Sequence, residues 1–205
     1  MKLLKCGIVI LLLFLPMALQ ATVVRLQTVL GVVDIELFDS EAPLTVANFL
    51  NYLNSGTYNN SFIHRSVPGF VIQGGGYIWD NVIGVKQITT DAPIANEFSA
   101  TRSNLRGTIA MAKVGENPDS ATSQWFINLA DNSANLDNQN GGFTVFGRVA
   151  GNGMTVVDAI SALTIANAGG AFTNLPVLSI PPSGNIGQAE LVMVTAAAVL
   201  ETTAK

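Results

Sequence analysis

The residues able to do chemistry in this sequence gather between Phe62 and Gly76, which reads Phe-Ile-His-Arg-Ser-Val-Pro-Gly-Phe-Val-Ile-Gln-Gly-Gly-Gly. His64, the one histidine of the chain, stands beside Arg65, and Phe70, Val71 and Gln73 follow. An arginine brings a fixed positive charge and a rigid fork of donors that it need not deprotonate to use. Taken alone, Arg65 is a surface cation, and Phe70, Phe126 and Phe143 are core residues. The spacing of Arg65, Phe70 and Gln73 changes that reading. Alternate residues of a strand share a face, so their odd separations require a turn at Pro68-Gly69 to bring them together.

Other chemistries fail for want of residues. With one histidine, and with Cys6 as the only cysteine, a zinc site is short of ligands. A Ser-His-Asp hydrolase would have to use His64, and no Gly-x-Ser-x-Gly elbow accompanies it. The Gly74-Gly75-Gly76 run lacks the Gly-Lys-Ser/Thr ending of a phosphate loop and no helix follows it. Asp34 and Glu36 alternate with Val33, Ile35 and Leu37, so they belong to the solvated face of a strand. No metal or cofactor is expected.

The elements that must position these residues are short. Val23–Leu26 and Val32–Phe38 read as paired strands around Leu30-Gly31. Pro43 opens a helix whose Val46, Phe49, Leu50 and Leu53 recur at helical spacing, with Gly56 as its C-terminal cap. Apolar runs at Gly69–Gln73, Thr108–Ala112, Trp125–Leu129, Thr144–Val149 and Ala189–Leu200 read as further strands. Val156, Val157, Ile160 and Leu163 give a second short helix after Gly153. Many short strands with two helices predict one mainly β domain over 22–205, closed as a barrel because closure removes exposed edges. The stretch Asn167–Gln188, rich in Gly, Pro and Asn, reads as a long excursion without an assigned role.

At 205 residues, 49% hydrophobic and 12% charged, the chain suits one ordinary folded domain. A net charge of −4 without a basic cluster argues against nucleic acid as partner. Residues 1–21 read as a signal peptide: Lys2 and Lys5, an apolar run from Gly7 to Leu15, a break at Pro16, and a small residue at Ala21. The apolar run is shorter than the roughly 20 residues of a membrane span, so cleavage is expected, with no stable membrane insertion after it; the alternative is an uncleaved N-terminal anchor. The expected location is outside the cytoplasm, in a bacterial periplasm. Cleavage would leave a net charge of −6 and no cysteine.

The Phe62–Gly76 run resembles the signature of the cyclophilins, Phe-His-Arg-x-x-Pro-Gly-Phe-x-x-Gln-Gly-Gly. Gly107–Ala112, Ser120–Asn128, Leu136-Asp137 and Val145–Val149 are similar to the family's later blocks, in the same order. The resemblance spans Val23 to Leu200 and is nearest to exported bacterial members. It implies an eight-stranded closed antiparallel barrel capped by two α-helices, and peptidyl-prolyl cis-trans isomerisation. It implies Arg65 and Gln73 as catalytic residues, Arg65 donating to the prolyl nitrogen and Gln73 holding the substrate backbone. It further implies substrate contacts from His64, Phe70, Val71, Ala112, Lys113, Gln124, Phe126, Leu136 and Phe143. His64 is expected at the site's edge without acid–base duty, and the backbone of Lys113 is expected to pair with an extended peptide. The implied partners are proline-containing unfolded or partly folded polypeptides, bound by a monomer.

The sequence also departs from the family pattern. Asn135 stands where many members carry Trp or Phe, which predicts weak cyclosporin inhibition. Ile63 and Trp125 replace phenylalanines and read as packing changes. The alternative function is a binding module or holdase that grips proline segments without turnover.

Overall fold

A computed structural model describes residues 21–200. The signal segment expected over 1–21 therefore lies, except for Ala21, outside the described residues.

Alternation dictates the first hairpin, β1 (Val23–Thr28) and β2 (Gly31–Leu37). Val33, Ile35 and Leu37 are buried, whereas Asp34 and Glu36 face out and pair with Arg25 at 2.7 Å and Arg148 at 2.9 Å. The helix α1 (Pro43–Asn54) starts on its proline, buries Val46, Phe49 and Leu53, and ends before Gly56. Gly56 adopts the left-handed φ of +74° that favours glycine after a helix.

Five short strands follow: β3 (Ser61–Phe62), β4 (Arg65–Val67), β5 (Val71–Gly74), β6 (Tyr77–Asp80) and β7 (Gly84–Gln87). Next come β8 (Thr108–Met111), β9 (Trp125–Asn128), the single turn α2 (Ser133–Leu136), β10 (Val145–Val149) and α3 (Gly153–Ser161). The last elements are β11 (Thr164–Ala166), β12 (Leu175–Val177) and β13 (Met193–Val199).

The protein is mainly β, as expected, and its principal sheet is antiparallel and strongly curled. The hydrogen-bonded order is β4-β5-β9-β8-β10-β2-β1-β13-β3-β6-β7, eleven strands where eight were expected, with β11–β12 as a separate pair. The difference has a local cause in the stretch from Ser61 to Val67. The Ile63 N–H donates to Val192 O at 3.0 Å, but the next N–H, of His64, donates to Gln73 O at 3.1 Å. One extended segment thus joins both ends of the ladder, and β3 and β4 are its two halves. Counted as one bent strand, they bring the ring to eight members, with β6–β7 an added hairpin. Three α-helices occur among the described residues rather than two, the extra one being the single turn α2.

The curl encloses Ile35, Phe49, Tyr58, Ile63, Ile72, Ile109, Trp125, Ile127 and Phe146, all buried. A smaller cluster lies on the outer side of β5, β8, β9 and β10: Val71, Ala110, Phe126, Leu136 and Val145. A third gathers Phe62 with Leu175, Val177, Leu191 and Met193. The excursion Asn167–Gln188 builds that third cluster: Phe172 packs at 6.0 Å from Phe62 and 4.8 Å from Tyr77. It covers the back of the segment that carries Arg65. No helix among the described residues is long and apolar enough to cross a membrane.

Candidate active site

The turn at Pro68-Gly69 does what the odd spacings required. Phe70 N–H donates to Val67 O at 2.9 Å, Gly69 takes a φ of +75°, and β4 folds back on β5. Arg65 then pairs with Gln73 and Val67 with Val71. Gln73 is also opposite Phe126, Phe126 opposite Ala110, and Ala110 opposite Val145. Directly opposed residues of a sheet share a face, so Arg65, Gln73, Phe126, Ala110 and Val145 form one row across five strands. The row runs along the outside of the barrel.

Above it opens a cavity of about 350 Å³ lined by Arg65, Phe70, Val71, Gln73, Ala112, Lys113, Phe126, Asn135, Leu136, Gln139 and Phe143. Nine of the eleven residues expected at the site are therefore together. The apolar floor is tight: Phe126 meets Phe143 edge-on at 5.8 Å, and Val71, Phe126 and Leu136 are buried. The Arg65 guanidinium lies 5.9 Å from the Phe70 ring centre, and its Nη1 donates to Gln73 Oε1 at 3.4 Å. Partial burial pulls this guanidinium below its ordinary pKa.

Gln124 lies next door rather than in the main cavity. Its Oε1 accepts from Gln73 Nε2 at 2.8 Å, and it lines an adjoining space of about 100 Å³ with Gln73, Ala112, Lys113, Val114, Ser120 and Thr122. Among the described residues no backbone group donates to Lys113 O or accepts from its N–H, which leaves an edge open beside Ala112. The Lys113 side chain folds over the Phe143 ring at 4.7 Å.

His64 does not line the cavity, contrary to expectation. His64 stands in the step between β3 and β4, where alternation breaks: Ile63 is in the barrel core and Arg65 in the outer row, and His64 turns away from the cavity. It is buried, edge-on at 5.1 Å to Tyr77, whose ring in turn meets Phe172 of the excursion. Burial is the main force lowering its pKa to about 4, and the Arg65 charge acts in the same direction against the opposing pull of the Gln124 contact. It is a neutral structural imidazole. The glycine run serves this packing: a Cβ on Gly75, whose φ is +73°, would lie 2.5 Å from Ser123 O, and one on Gly76 would lie 2.9 Å from the Gln124 side chain.

Several supporting residues escaped the sequence reading. Gln139 lines the cavity and donates to Asn135 Oδ1 four residues earlier. Beneath the floor, Asn132 Nδ2 donates to Phe70 O at 2.9 Å and to Asn128 Oδ1 at 2.8 Å, and Asn128 Nδ2 donates to Asn104 Oδ1 at 3.2 Å. Asn104 Nδ2 in turn donates to Asp137 Oδ1 at 2.8 Å and Phe143 O at 3.0 Å. This network ties both aromatic walls to the barrel. No cluster of metal-ligating side chains occurs among the described residues.

Comparison with known proteins identifies the family. Residues 23–180 match the family model for cyclophilin type peptidyl-prolyl cis-trans isomerases. The chain is 46% identical over 161 residues to peptidyl-prolyl cis-trans isomerase A of Dickeya dadantii, covering 78% of this chain and 80% of that one. It is 43% identical over 143 residues to isomerase B of Escherichia coli, covering 68% and 84% respectively. In fold it is similar to a cyclophilin type isomerase of Cryptosporidium parvum whose crystal structure was determined in the presence of the dipeptide Ala-Pro. The TM-score is 0.66 at 22% identity, covering 88% of this chain and 99% of that one. The chain belongs to the cyclophilin-type peptidyl-prolyl cis-trans isomerase family.

Proposed function

We propose that this isomerase speeds rotation about X–Pro bonds in exported proteins, with Arg65 as donor to the prolyl nitrogen. The observation that carries the reading is that one guanidinium and an apolar floor share a single cavity. The amide C–N bond resists rotation by about 18–20 kcal/mol because of its partial double-bond character. Twisting localises a lone pair on the nitrogen. A donor aimed at that nitrogen binds the twisted state better than either planar one, which lowers the barrier. An acceleration of five orders needs about 7 kcal/mol of such preference.

In this reading Phe70, Val71, Phe126, Leu136 and Phe143 hold the ring and keep water from it, and partial burial strengthens the Arg65 field. Gln73, braced by Gln124, grips the substrate backbone, and the free edge at Lys113 accepts an extended chain. The export assignment rests on the signal-like N-terminal segment. A protease-coupled assay on a short X–Pro peptide tests the whole reading. Turnover by the wild type supports it, whereas peptide binding without turnover would replace it with a holdase.

A further inference from the structure

The main cavity is lined by two cations, Arg65 and Lys113, and by no carboxylate. The chain as a whole is acidic, with a net charge of −4. The ion pairs among the described residues are Arg25–Asp34, Arg106–Asp158 and Arg148–Glu36, and neither cavity cation belongs to any of them. Lys113 Nζ donates to Asn140 O and Gly142 O, both at 2.6 Å. Those carbonyls hold the ammonium in place and occupy two of its three donors, but they do not neutralise it. Asp119 is the carboxylate that acts on Lys113 through space, and its Oδ1 already accepts the Asn96 N–H at 2.8 Å. Burial lowers the Lys113 pKa more than Asp119 raises it.

Position gives this charge a use. Phe143 forms one wall of the pocket and carries Lys113 at 4.7 Å, whereas Phe70 forms another and carries Arg65 at 5.9 Å. A proline ring seated between them has its nitrogen toward Arg65, and a group leaving past Phe143 meets the Lys113 ammonium. We infer that Lys113 is a specificity determinant that favours prolyl segments carrying a carboxylate next to the proline. The inference rests on the isomerase reading of the same cavity. That carboxylate can be the side chain of an adjoining Asp or Glu, or the free C-terminus of a chain ending in proline.

Exchange NMR on matched peptides measures the preference. One pair is amidated Ala-Ala-Pro-Glu against Ala-Ala-Pro-Gln, and the other is Ala-Ala-Pro as free acid against its amide. The wild type is expected to favour the acidic member of at least one pair roughly two- to fivefold at low salt, with the gap closing as salt rises. The pair that shows the gap identifies the source of the carboxylate. In Lys113→Met the acid-to-neutral ratio should fall to one, and in Lys113→Arg it should persist. Taking the ratio within each variant cancels any general loss from a displaced 137–143 loop. Equal ratios in wild type and Lys113→Met, in both pairs, would overturn the inference. A parallel chemical-shift titration of binding separates the two readings. Selective binding without exchange would contradict the isomerase assignment and leave this one standing.

Discussion

Arg65 and Gln73 face each other across β4 and β5, guanidinium to carboxamide at 3.4 Å, as directly paired residues of one hairpin. Gln73 passes the contact on to Gln124 at 2.8 Å. The donor of the proposed reaction is therefore seated on two tight strands and a chain of amides rather than on a loop, the kind of placement that holds catalytic geometry to a fraction of an ångström.

Gln73→Leu keeps the volume and removes the amide. It should leave Arg65 without its acceptor and Gln124 without its donor, and lower kcat/KM roughly tenfold. Gln124→Leu should cost less, because that side chain acts through Gln73. Steady-state rates on one X–Pro peptide order the two, and a larger loss in Gln124→Leu would show the chain of contacts to be misread.

His64 supplies a pH dependence of stability. Its folded-state pKa is about 4 and its ordinary value about 6.5. Between these values the unfolded chain binds the extra proton, so stability rises with pH in that window. The His64 contribution is complete above the unfolded value and is lost as pH falls toward the folded one. Urea unfolding should show roughly 2 kcal/mol lost between about pH 7 and pH 5 in the wild type, beyond whatever His64→Gln loses. Identical slopes for the two proteins would contradict the buried neutral imidazole.

Asn128 is fully buried and bonded to Asn104, Asn132 and Thr108. Replacing it with Ala strands buried partners and should cost roughly 1–3 kcal/mol. Because the same network holds Phe70 O and Phe143 O, KM should rise as well. A stable variant with unchanged KM would detach the network from the pocket.

Asn135 lines the cavity with its carboxamide oxygen taken by Gln139, and it offers no indole N–H. Cyclosporin is expected to inhibit weakly. Submicromolar inhibition of the pure protein would contradict this.

Much of this arrangement was legible in the sequence because it is local. The Pro68-Gly69 turn, the alternation in β2 and the helical spacing from Pro43 each announce themselves within a dozen residues, and the ordered blocks through Val149 supplied the pocket. What escaped was set by tertiary context. Whether His64 or Arg65 faces the site depends on the break between β3 and β4, where the chain leaves one ladder partner for another. Ile63 takes the inside, Arg65 the outside, and His64 packs on Tyr77, which Phe172 meets from far along the chain. The buried asparagines carry no local mark, since asparagine is ordinarily a turn residue. The excursion Asn167–Gln188 could not be assigned from composition, because its function is to cover Phe62 and Tyr77, both distant in sequence.

The central claim is that Arg65 stabilises the twisted imide, and Arg65→Ala tests it most directly. Its kcat/KM on an X–Pro peptide, compared with wild type, should fall roughly 10²- to 10³-fold, as for loss of one preorganised donor to a developing charge. Affinity for the planar peptide, read by titration, should change only a few-fold, because the donor acts mainly on the twisted state. Arg65→Lys should recover part of the rate, limited by the loss of the rigid fork. Equal kcat/KM for wild type and Arg65→Ala, with both proteins folded, would contradict the account.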